Sequence, residues 1–309
     1  MKILLTGASG FVGSALLAKL GVINTRVLGR SRPSLNKVDF FYSEILPDSD
    51  FSDALKNIDV VIHSAARAHI MKDESCDPYT EYRNVNTLGT LSLARQAASA
   101  GVKRLIFISS IKVNGESTSI GQPFFYDDEP SPEDPYGQSK AEAERGLLEL
   151  AQETGMEVVI IRPPLVYGPG VKANFASMMN FATMNLPLPL GAIKNMRSLV
   201  SIDNLVDLIV TCIDHPKAAG NIFLVSDDFD ISTTELLKEL TRAAGKKPHL
   251  IPIPMALVRG LAILLGKRAV TDRLCGNLQL DITHTKNTLD WSPPVTFQEG
   301  ITRCFLKDN

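Results

Sequence analysis

Apolar strand-like runs alternate with helical patterns along the first half of the chain. Runs rich in Val, Ile and Leu predict strands at residues 2–6, 25–28, 59–63, 105–109 and 157–162. Between them, apolar residues at helical spacing predict helices at 11–20, 83–100 and 136–154. Strands that are apolar throughout are typical of a sheet covered on both faces. The pattern therefore predicts an α/β fold with a doubly wound parallel sheet.

The rhythm of the chain changes after Pro163 and Pro164. Prolines are frequent from there onward, and turn-rich segments separate three predicted helices, at 174–184, 233–244 and 255–265. The second half therefore predicts a smaller C-terminal α/β lobe that binds substrate, rather than a repeat of the first half. We place the domains at 1–165 and 166–309, with some segments of the lobe free to return to the sheet.

Composition narrows the class of protein. Hydrophobic residues make up 44% and charged residues 21% of the chain, as in an ordinary globular enzyme. A net charge of -2 provides no basic surface for nucleic acid and no polybasic cluster for a membrane. The four cysteines lack metal-binding spacing, the N-terminus lacks a signal-peptide layout, and the run at 255–265 is too short to span a bilayer. We expect a cytoplasmic protein with no metal and no membrane insertion.

A glycine-rich turn follows the first predicted strand directly. In this Rossmann-like arrangement Gly7 permits the tight turn, Gly10 lets the backbone approach a pyrophosphate, and Gly13 lets helix and strand pack closely. The pyrophosphate is expected at the helix N-terminus, where free N–H groups and the helix dipole favour negative charge. The turn therefore predicts a dinucleotide site formed by Gly7, Ser9, Gly10, Phe11, Val12 and Gly13.

The tip of the second strand bears on the choice of cofactor. An acidic residue at this place binds the adenosine ribose of NAD. The chain has Arg30 and Arg32 there and no carboxylate. Because guanidinium groups pair well with phosphate, the arginines slightly favour NADP(H), with NAD as the alternative.

Three residues form a predicted catalytic centre. Tyr136 and Lys140 are four residues apart and share one face of a predicted helix. A tyrosine with a pKa of about 10 is a poor base at neutral pH, but a nearby ammonium and the positive nicotinamide ring would favour the phenolate. Lys140 is also expected to hold the nicotinamide ribose. Ser110 follows the strand at 105–109 at the edge where ligands bind, and is expected to hydrogen-bond the reacting oxygen.

These motifs resemble the extended short-chain dehydrogenase/reductase superfamily, and more narrowly the NAD-dependent epimerase/dehydratase family acting on nucleotide sugars. The resemblance covers nearly the whole chain and is carried by residues 6–13, 63–66, 84–90, 109–110, 136–140, 162–169, 197–207 and 281–293. It implies that Tyr136 exchanges a proton with a sugar hydroxyl while the cofactor exchanges a hydride. It also implies cofactor contacts at His63, Ala65, Ala66 and Pro163, and phosphate contacts at Arg197 and Arg273.

The chain departs from the family pattern at two places. The family's dehydratases carry an Asp-Glu pair just after the position of Ser110, where this chain has Ile111 and Lys112. Without a carboxylate acid and base, elimination of water lacks its proton carriers, so we reject a dehydratase and assign Lys112 to substrate binding. The family's asparagine after the last predicted strand is replaced by Leu165. Asn174 either substitutes for it as a substrate contact or is a plain N-cap.

The expected function is hydride transfer at carbon 4 of a UDP- or dTDP-linked hexose in surface-polysaccharide biosynthesis. The arginines at the second strand slightly favour a 4-ketoreductase, because NADPH is the usual reductant. The alternative is a UDP-hexose 4-epimerase, of the UDP-glucose or UDP-N-acetylglucosamine type, that retains NAD. A lipid diphosphate substrate stays open, a non-sugar ketone is disfavoured, and a non-catalytic dinucleotide-sensing regulator is a remote alternative. The resemblance further implies a homodimer formed through the helices at 83–100 and 136–154.

Overall fold

The computed structural model describes residues 1–35, 37–68, 77–254, 257 and 274–306, without the side chains of Ala173 and Asn174. Apart from residue 257, the predicted helix at 255–265 lies outside the described residues, and so does Arg273. Within the described part, ten strands form two sheets: β1 Ile3–Thr6, β2 Thr25–Gly29, β3 Asp39–Tyr42, β4 Val60–His63, β5 Arg104–Ile108, β6 Glu157–Arg162, β7 Leu165–Tyr167, β8 Arg197–Ser201, β9 Ile222–Leu224 and β10 Asp230–Ile231.

The main sheet has seven strands in the order β3-β2-β1-β4-β5-β6-β9, and every neighbouring pair is parallel. This confirms the doubly wound parallel α/β fold that the apolar strand pattern predicts. The edge strand β3 is absent from the prediction. It is short and none of its residues is fully buried, so it lacks the continuous apolar run of the central strands.

The helices are α1 Phe11–Leu20, α2 Ser52–Leu55, α3 Pro78–Tyr82, α4 Thr90–Ser99, α5 Pro135–Thr154, α6 Ala173–Met184, α7 Ile202–Thr211, α8 Thr233–Ala243, α9 Thr283–Leu289 and α10 Phe297–Arg303 among the described residues. The helix predicted at 83–100 begins as a π-helix at Arg83–Gly89 and continues as α4. Successive residues of each strand point to opposite faces. One face packs against α1 and α7, and the other packs against α4 and α5.

The second half of the chain contributes to both sheets. Strand β9 extends the main sheet beside β6, whereas β7, β8 and β10 form a small separate sheet in the order β10-β8-β7. Asp227, just after β9, joins these parts because its carboxylate accepts from the Tyr167 hydroxyl at 2.6 Å, the Ser201 amide at 2.8 Å and the Asn204 side chain at 2.7 Å. The small sheet is therefore anchored to the last strand of the main sheet by buried hydrogen bonds.

Candidate active site

The glycine turn joins β1 to α1 in a closely packed loop. Gly7 has φ +75°, a conformation that side chains disfavour, and a Cβ there would lie 2.6 Å from the Ala65 nitrogen. A Cβ on Gly13 would lie 2.1 Å from the Gly7 carbonyl oxygen. The amide of Gly10 donates to the same carbonyl at 2.9 Å. The glycines are therefore required by the space and backbone shape of the turn.

The start of α1 fits a dinucleotide. Gly10 is its N-cap, and no side chain accepts a hydrogen bond from the first turn. The first amides of the helix thus have no side-chain cap, and together with the helix dipole they favour an anion. Ser9 and Gly10 are exposed, whereas Phe11 and Val12 are half-buried and pack against the core. An exposed glycine turn before an uncapped helix start is the cradle that a pyrophosphate requires.

The end of β4 borders the glycine turn through a buried hydrogen-bond chain. His63 is fully buried and bonds Thr6 through Nδ1 at 2.7 Å and Thr90 through Nε2 at 2.8 Å. Burial, with the charge of Lys140, lowers the pKa of His63 to about 3, so the ring is neutral. The side chain of His63 therefore supports the sheet. Of the cofactor contacts predicted at this turn, the half-exposed Ala65 and the exposed Ala66 reach the surface.

Tyr136 and Ser110 meet at the carboxyl edge of β5. Tyr136 is in the first turn of α5, a helix that Asp134 caps by accepting from the Gly137 amide at 2.7 Å. Ser110, which begins the short turn of 3-10 helix at Ile111–Val113, lies close enough to the Tyr136 hydroxyl to lower its pKa by hydrogen bonding. The structure therefore brings together the tyrosine and the serine that the sequence predicts to share the reacting oxygen.

The electrostatics of Tyr136 differ from the sequence-based expectation. Burial raises the pKa of Tyr136 above its ordinary value, and Asp134 and Tyr82 raise it further. The hydrogen bond with Ser110 acts in the opposite direction. We expected the ammonium of Lys140 and the positive nicotinamide ring together to favour the phenolate. The protein groups around Tyr136 favour the neutral phenol by themselves, and the nicotinamide ring would add the positive charge that opposes them.

Lys140 is buried one helical turn beyond Tyr136. Its ammonium donates to the Ile108 carbonyl at 2.8 Å and lies 4.3 Å from the centre of the Phe107 ring. Burial lowers the pKa of Lys140 to about 7, although the nearby Glu144 carboxylate opposes the shift. Lys140 is thus held at the end of β5, beside Ser110, by contacts with the strand itself.

A buried ion pair supports this edge of the sheet from below. Arg162, at the end of β6, bonds the Glu144 carboxylate with its Nη2 at 2.6 Å and its Nε at 3.1 Å. Glu144 also accepts from the Ser109 hydroxyl, and Arg162 donates to Asn114 at 2.9 Å. Ser109 and Ser110 therefore have separate partners: Ser109 bonds within the interior, and only Ser110 faces Tyr136.

The ammonium of Lys112, which we predicted to contact substrate, is bound by the protein's own carboxylates. It pairs with Glu116 at 2.5 Å and with Asp134. Burial acts to lower the pKa of Lys112, but the hydrogen bonds that its ammonium donates to Asp134 and Glu116 outweigh burial and raise the pKa above its ordinary value. Its peptide N–H donates to the Ser110 hydroxyl at 3.3 Å. Lys112 therefore contacts Ser110 directly, and it also contacts Asp134, which caps the helix that carries Tyr136.

Arg197 begins β8 and reaches the same region from the small sheet. It is half-buried, and its Nη1 donates to the Gly276 carbonyl at 3.0 Å. Burial lowers the pKa of Arg197, and the carboxylate of Glu116 opposes this shift. The charge of Glu116, which pairs with Lys112, therefore also acts on Arg197, the predicted phosphate-binding residue.

The arginines at the tip of β2 lie on the surface. Arg32 is exposed, donates to the Val38 carbonyl at 3.4 Å and lies 5.2 Å from the centre of the Phe40 ring. Arg30 is exposed as well. Arg32 is thus directed to the neighbouring strand β3, which the sequence-based prediction lacks.

The remaining predicted site residues are Pro163, Asn174 and Arg273, and the structure fully describes only the first. Pro163 is buried, and its carbonyl accepts from the Ile111 amide at 3.0 Å, so it braces the turn behind Ser110. Asn174 lies in the first turn of α6, two residues beyond the N-cap, which is Lys172, so the plain N-cap that the sequence offered as its alternative is wrong. Its side chain is outside the described residues, as is all of Arg273.

The sequence-based prediction omits Asp134, Glu116, Glu144 and Arg162 as site residues. Asp134 precedes Pro135 at a helix start, which is a readable N-cap pattern. Glu116 is four residues from its partner Lys112, a spacing that the sequence does show, whereas Glu144 and Arg162 lie on different elements and no local spacing identifies them. Among the described residues, no cluster of His, Cys, Asp and Glu could hold a metal ion, and no helix is both long and apolar enough to cross a membrane.

Comparison with known proteins identifies the family. Residues 3–226 match the model of the NAD dependent epimerase/dehydratase family. A UDP-glucose 4-epimerase of Vibrio cholerae is 53% identical and covers 100% of this chain and 96% of its own length. An N-acetyl-alpha-D-glucosaminyl-diphospho-ditrans,octacis-undecaprenol 4-epimerase of Escherichia coli O157:H7 is 28% identical, with 98% and 93% covered.

Solved structures of the same fold agree. UDP-glucose 4-epimerase of Thermotoga maritima, crystallised with UDP-glucose, has a TM-score of 0.78 at 25% identity and covers 98% of this chain and 97% of its own. UDP-glucuronic acid 4-epimerase of Bacillus cereus, in complex with NAD, has a TM-score of 0.76 at 22% identity, with 98% and 97% covered. The extent of these matches confirms the resemblance: the chain is an enzyme that belongs to the NAD dependent epimerase/dehydratase family.

Proposed function

We propose that the protein is a UDP-hexose 4-epimerase that retains NAD. The observation that carries the proposal is the placement of Tyr136, at the start of α5, next to Ser110 at the carboxyl edge of β5, where Ser110 acts on the tyrosine hydroxyl. Such a pair can accept the proton of an alcohol and return a proton to the oxygen of a ketone. Ile111 and Lys112 stand where the family's dehydratases carry the Asp-Glu pair that eliminates water, and Lys112 is itself paired with Glu116 and Asp134.

The relatives favour the epimerase over the 4-ketoreductase that the two arginines suggested. The relative with 53% identity over the full chain is named a UDP-glucose 4-epimerase, and so is the Thermotoga maritima structure. An epimerase has no net redox change and keeps its cofactor, which agrees with the NAD bound in the Bacillus cereus structure. We therefore propose NAD rather than NADP(H) as the cofactor.

Each half-reaction assigns a defined task to the chain. When bound, NAD supplies the acceptor and then the donor of the hydride at carbon 4. Tyr136 as phenolate accepts the proton of the 4-hydroxyl, and as phenol it returns that proton to the 4-keto oxygen. Ser110 hydrogen-bonds the same oxygen in both directions. Lys140, fixed at the end of β5 by Ile108, is placed to hold the nicotinamide ribose and to add positive charge near the phenolate.

The substrate is proposed to carry a diphosphate. Arg197, which is half-buried at the start of β8, is the residue that we propose binds the diphosphate. UDP is the carrier named in the Vibrio cholerae relative, and a lipid diphosphate is the carrier named in the Escherichia coli one. The higher identity favours UDP-glucose. The domain division, the homodimer and a cytoplasmic location stay predictions.

The test is to denature the purified protein, identify the released dinucleotide by mass, and assay conversion of UDP-glucose to UDP-galactose. Retained NAD with conversion in the absence of added cofactor supports the proposal. Tyr136→Phe is expected to lower kcat by about 10²–10⁴-fold, because it removes the proton acceptor. The exposed Tyr42→Phe is the matched control and should leave kcat unchanged. Consumption of NADPH by an enzyme that purifies empty would instead identify a ketoreductase.

A further inference from the structure

Lys112 lies between the two residues that share the reacting oxygen. Its peptide N–H donates to the Ser110 hydroxyl at 3.3 Å, and its ammonium is bonded to Asp134. Its carbonyl packs against α5, because a Cβ on Gly137 would lie 2.7 Å from that oxygen. Glu116 holds the ammonium from the other side at 2.5 Å. One residue therefore touches the strand end that carries Ser110 and the helix start that carries Tyr136.

Asp134 has two effects on Tyr136 that oppose each other. As the N-cap of α5, its carboxylate accepts from the Gly137 amide at 2.7 Å and fixes the turn that presents Tyr136. Its negative charge, however, raises the pKa of Tyr136 and disfavours the phenolate. Burial acts to raise the pKa of Asp134 itself, but the bonds from Lys112 and Gly137 lower it, so the carboxylate stays charged. The cap is needed for geometry and is unfavourable for acid–base chemistry.

We propose that Lys112 is a positioning residue whose ammonium pairs with the helix-capping carboxylate of Asp134, so that the cap fixes Tyr136 while less of its negative charge opposes the phenolate. The same residue holds Ser110 through its peptide N–H. We propose this role in place of the substrate contact that we predicted for Lys112 from sequence. It rests on the proposed function in one respect, which is that Tyr136 transfers the proton.

The other groups that face Tyr136 and Asp134 are accounted for. Tyr82 lies edge-on to Tyr136 with ring centroids 6.1 Å apart, and Lys140 is one helical turn away but donates to a strand carbonyl. Glu116 adds a second negative charge next to Lys112. Lys112 is therefore the described cation in direct contact with Asp134, and its removal leaves that carboxylate unneutralised beside Tyr136.

The experiment measures Tyr136 directly as well as through catalysis. The phenolate is titrated by ultraviolet difference spectroscopy in the protein as purified with its dinucleotide, with Tyr136→Phe as the baseline. We expect Lys112→Met to raise the titration midpoint by about one pH unit, Asp134→Asn to lower it, and Lys112→Arg to match the wild type. The double variant Lys112→Met/Asp134→Asn should follow Asp134→Asn, because no carboxylate is left to neutralise.

Kinetics on UDP-glucose provide the second measurement. A rise of one unit in the pKa of Tyr136 should lower kcat at neutral pH about tenfold, with the pH profile shifted upward and KM nearly unchanged. Lys286→Met is the matched control, because Lys286 also pairs with a carboxylate, Asp228, at 2.6 Å, and should have no effect. Higher KM with an unchanged midpoint would identify Lys112 as a substrate ligand and overturn the proposal.

The two proposals fail in different ways. If no variant converts UDP-glucose but the titration midpoints move as expected, the role of Lys112 stands and the proposed function is wrong. If the wild type is an epimerase but Lys112→Met titrates as the wild type does, the role of Lys112 is wrong. If Lys112→Met does not fold, Asp134→Asn decides alone: it keeps a capping side chain, and an unchanged midpoint overturns the proposal.

Discussion

The two ends of the dinucleotide site are built in opposite ways. At the catalytic edge, formed by the end of β5 and the start of α5, Lys140 and its supporting residues are buried and bonded to one another. At the tip of β2, Arg30 and Arg32 are exposed, and Arg32 rests on the neighbouring strand. The fold therefore encloses and fixes the predicted residues of the catalytic edge, whereas it leaves the two arginines at the β2 tip exposed.

The buried ion pair beneath the catalytic edge should show the largest effect on stability. Arg162 and Glu144 are almost fully buried, and removing one partner leaves an uncompensated charge. We expect Arg162→Met to lower the free energy of unfolding by about 3–5 kcal/mol, measured by urea denaturation. Arg242→Met, which breaks a pair with Glu239 on the surface, should be nearly neutral.

A second variant tests the cause of that loss. Removing both charges, in Arg162→Met/Glu144→Leu, should recover much of the stability, because neither member of this pair is then left as an uncompensated charge. Equal urea midpoints for Arg162→Met and Arg242→Met would show that the buried pair at the catalytic edge stabilises the fold no more than a surface pair does.

The difference also explains which parts of the site are readable from sequence. The spacing of Tyr136 and Lys140 on one helix and the position of Ser110 at a strand end are local patterns, and the structure brings these residues to one edge. The pair of Arg162 and Glu144 joins a strand to a helix 18 positions away, so the sequence shows only two charged residues. Their burial depends on packing that no local pattern contains.

The same reasoning applies to the fold. Central strands are buried on both faces and appear as continuous apolar runs, so their positions are predicted within a residue or two. Strand β3, at the sheet edge, lacks such a run. The small sheet joins β7, β8 and β10 from three separate places in the chain, and β10 consists only of Asp230–Ile231. Short strands that pair over long distances leave no periodic pattern to recognise.

The glycine turn lies between the two ends and should show an intermediate effect. A Cβ on Gly13 would overlap the Gly7 carbonyl oxygen at 2.1 Å, so α1 must move away from β1. We expect Gly13→Ala to cost roughly 1–3 kcal/mol of unfolding free energy and to reduce the amount of dinucleotide retained on purification. Gly29→Ala is the control, because a Cβ there meets no described atom within 4 Å. Full stability and full retention in Gly13→Ala would show that the turn adapts.

Substitution of the arginines at the β2 tip should have the smallest effect on the protein. It tests directly whether exposed side chains at this tip select the cofactor. If their exposure means that they do not select the cofactor, Arg30→Ala/Arg32→Ala should change the dissociation constant for NAD by at most about threefold, as expected for solvent-exposed charges. The measurement is calorimetric titration of NAD and NADP into protein stripped of dinucleotide. A wild type that binds NADP more tightly, and loses only that preference in the double variant, would contradict the comparison. Arg32 would then have to leave Phe40 for a phosphate, and a side chain that the fold leaves exposed would have proved as specific as one that the fold encloses.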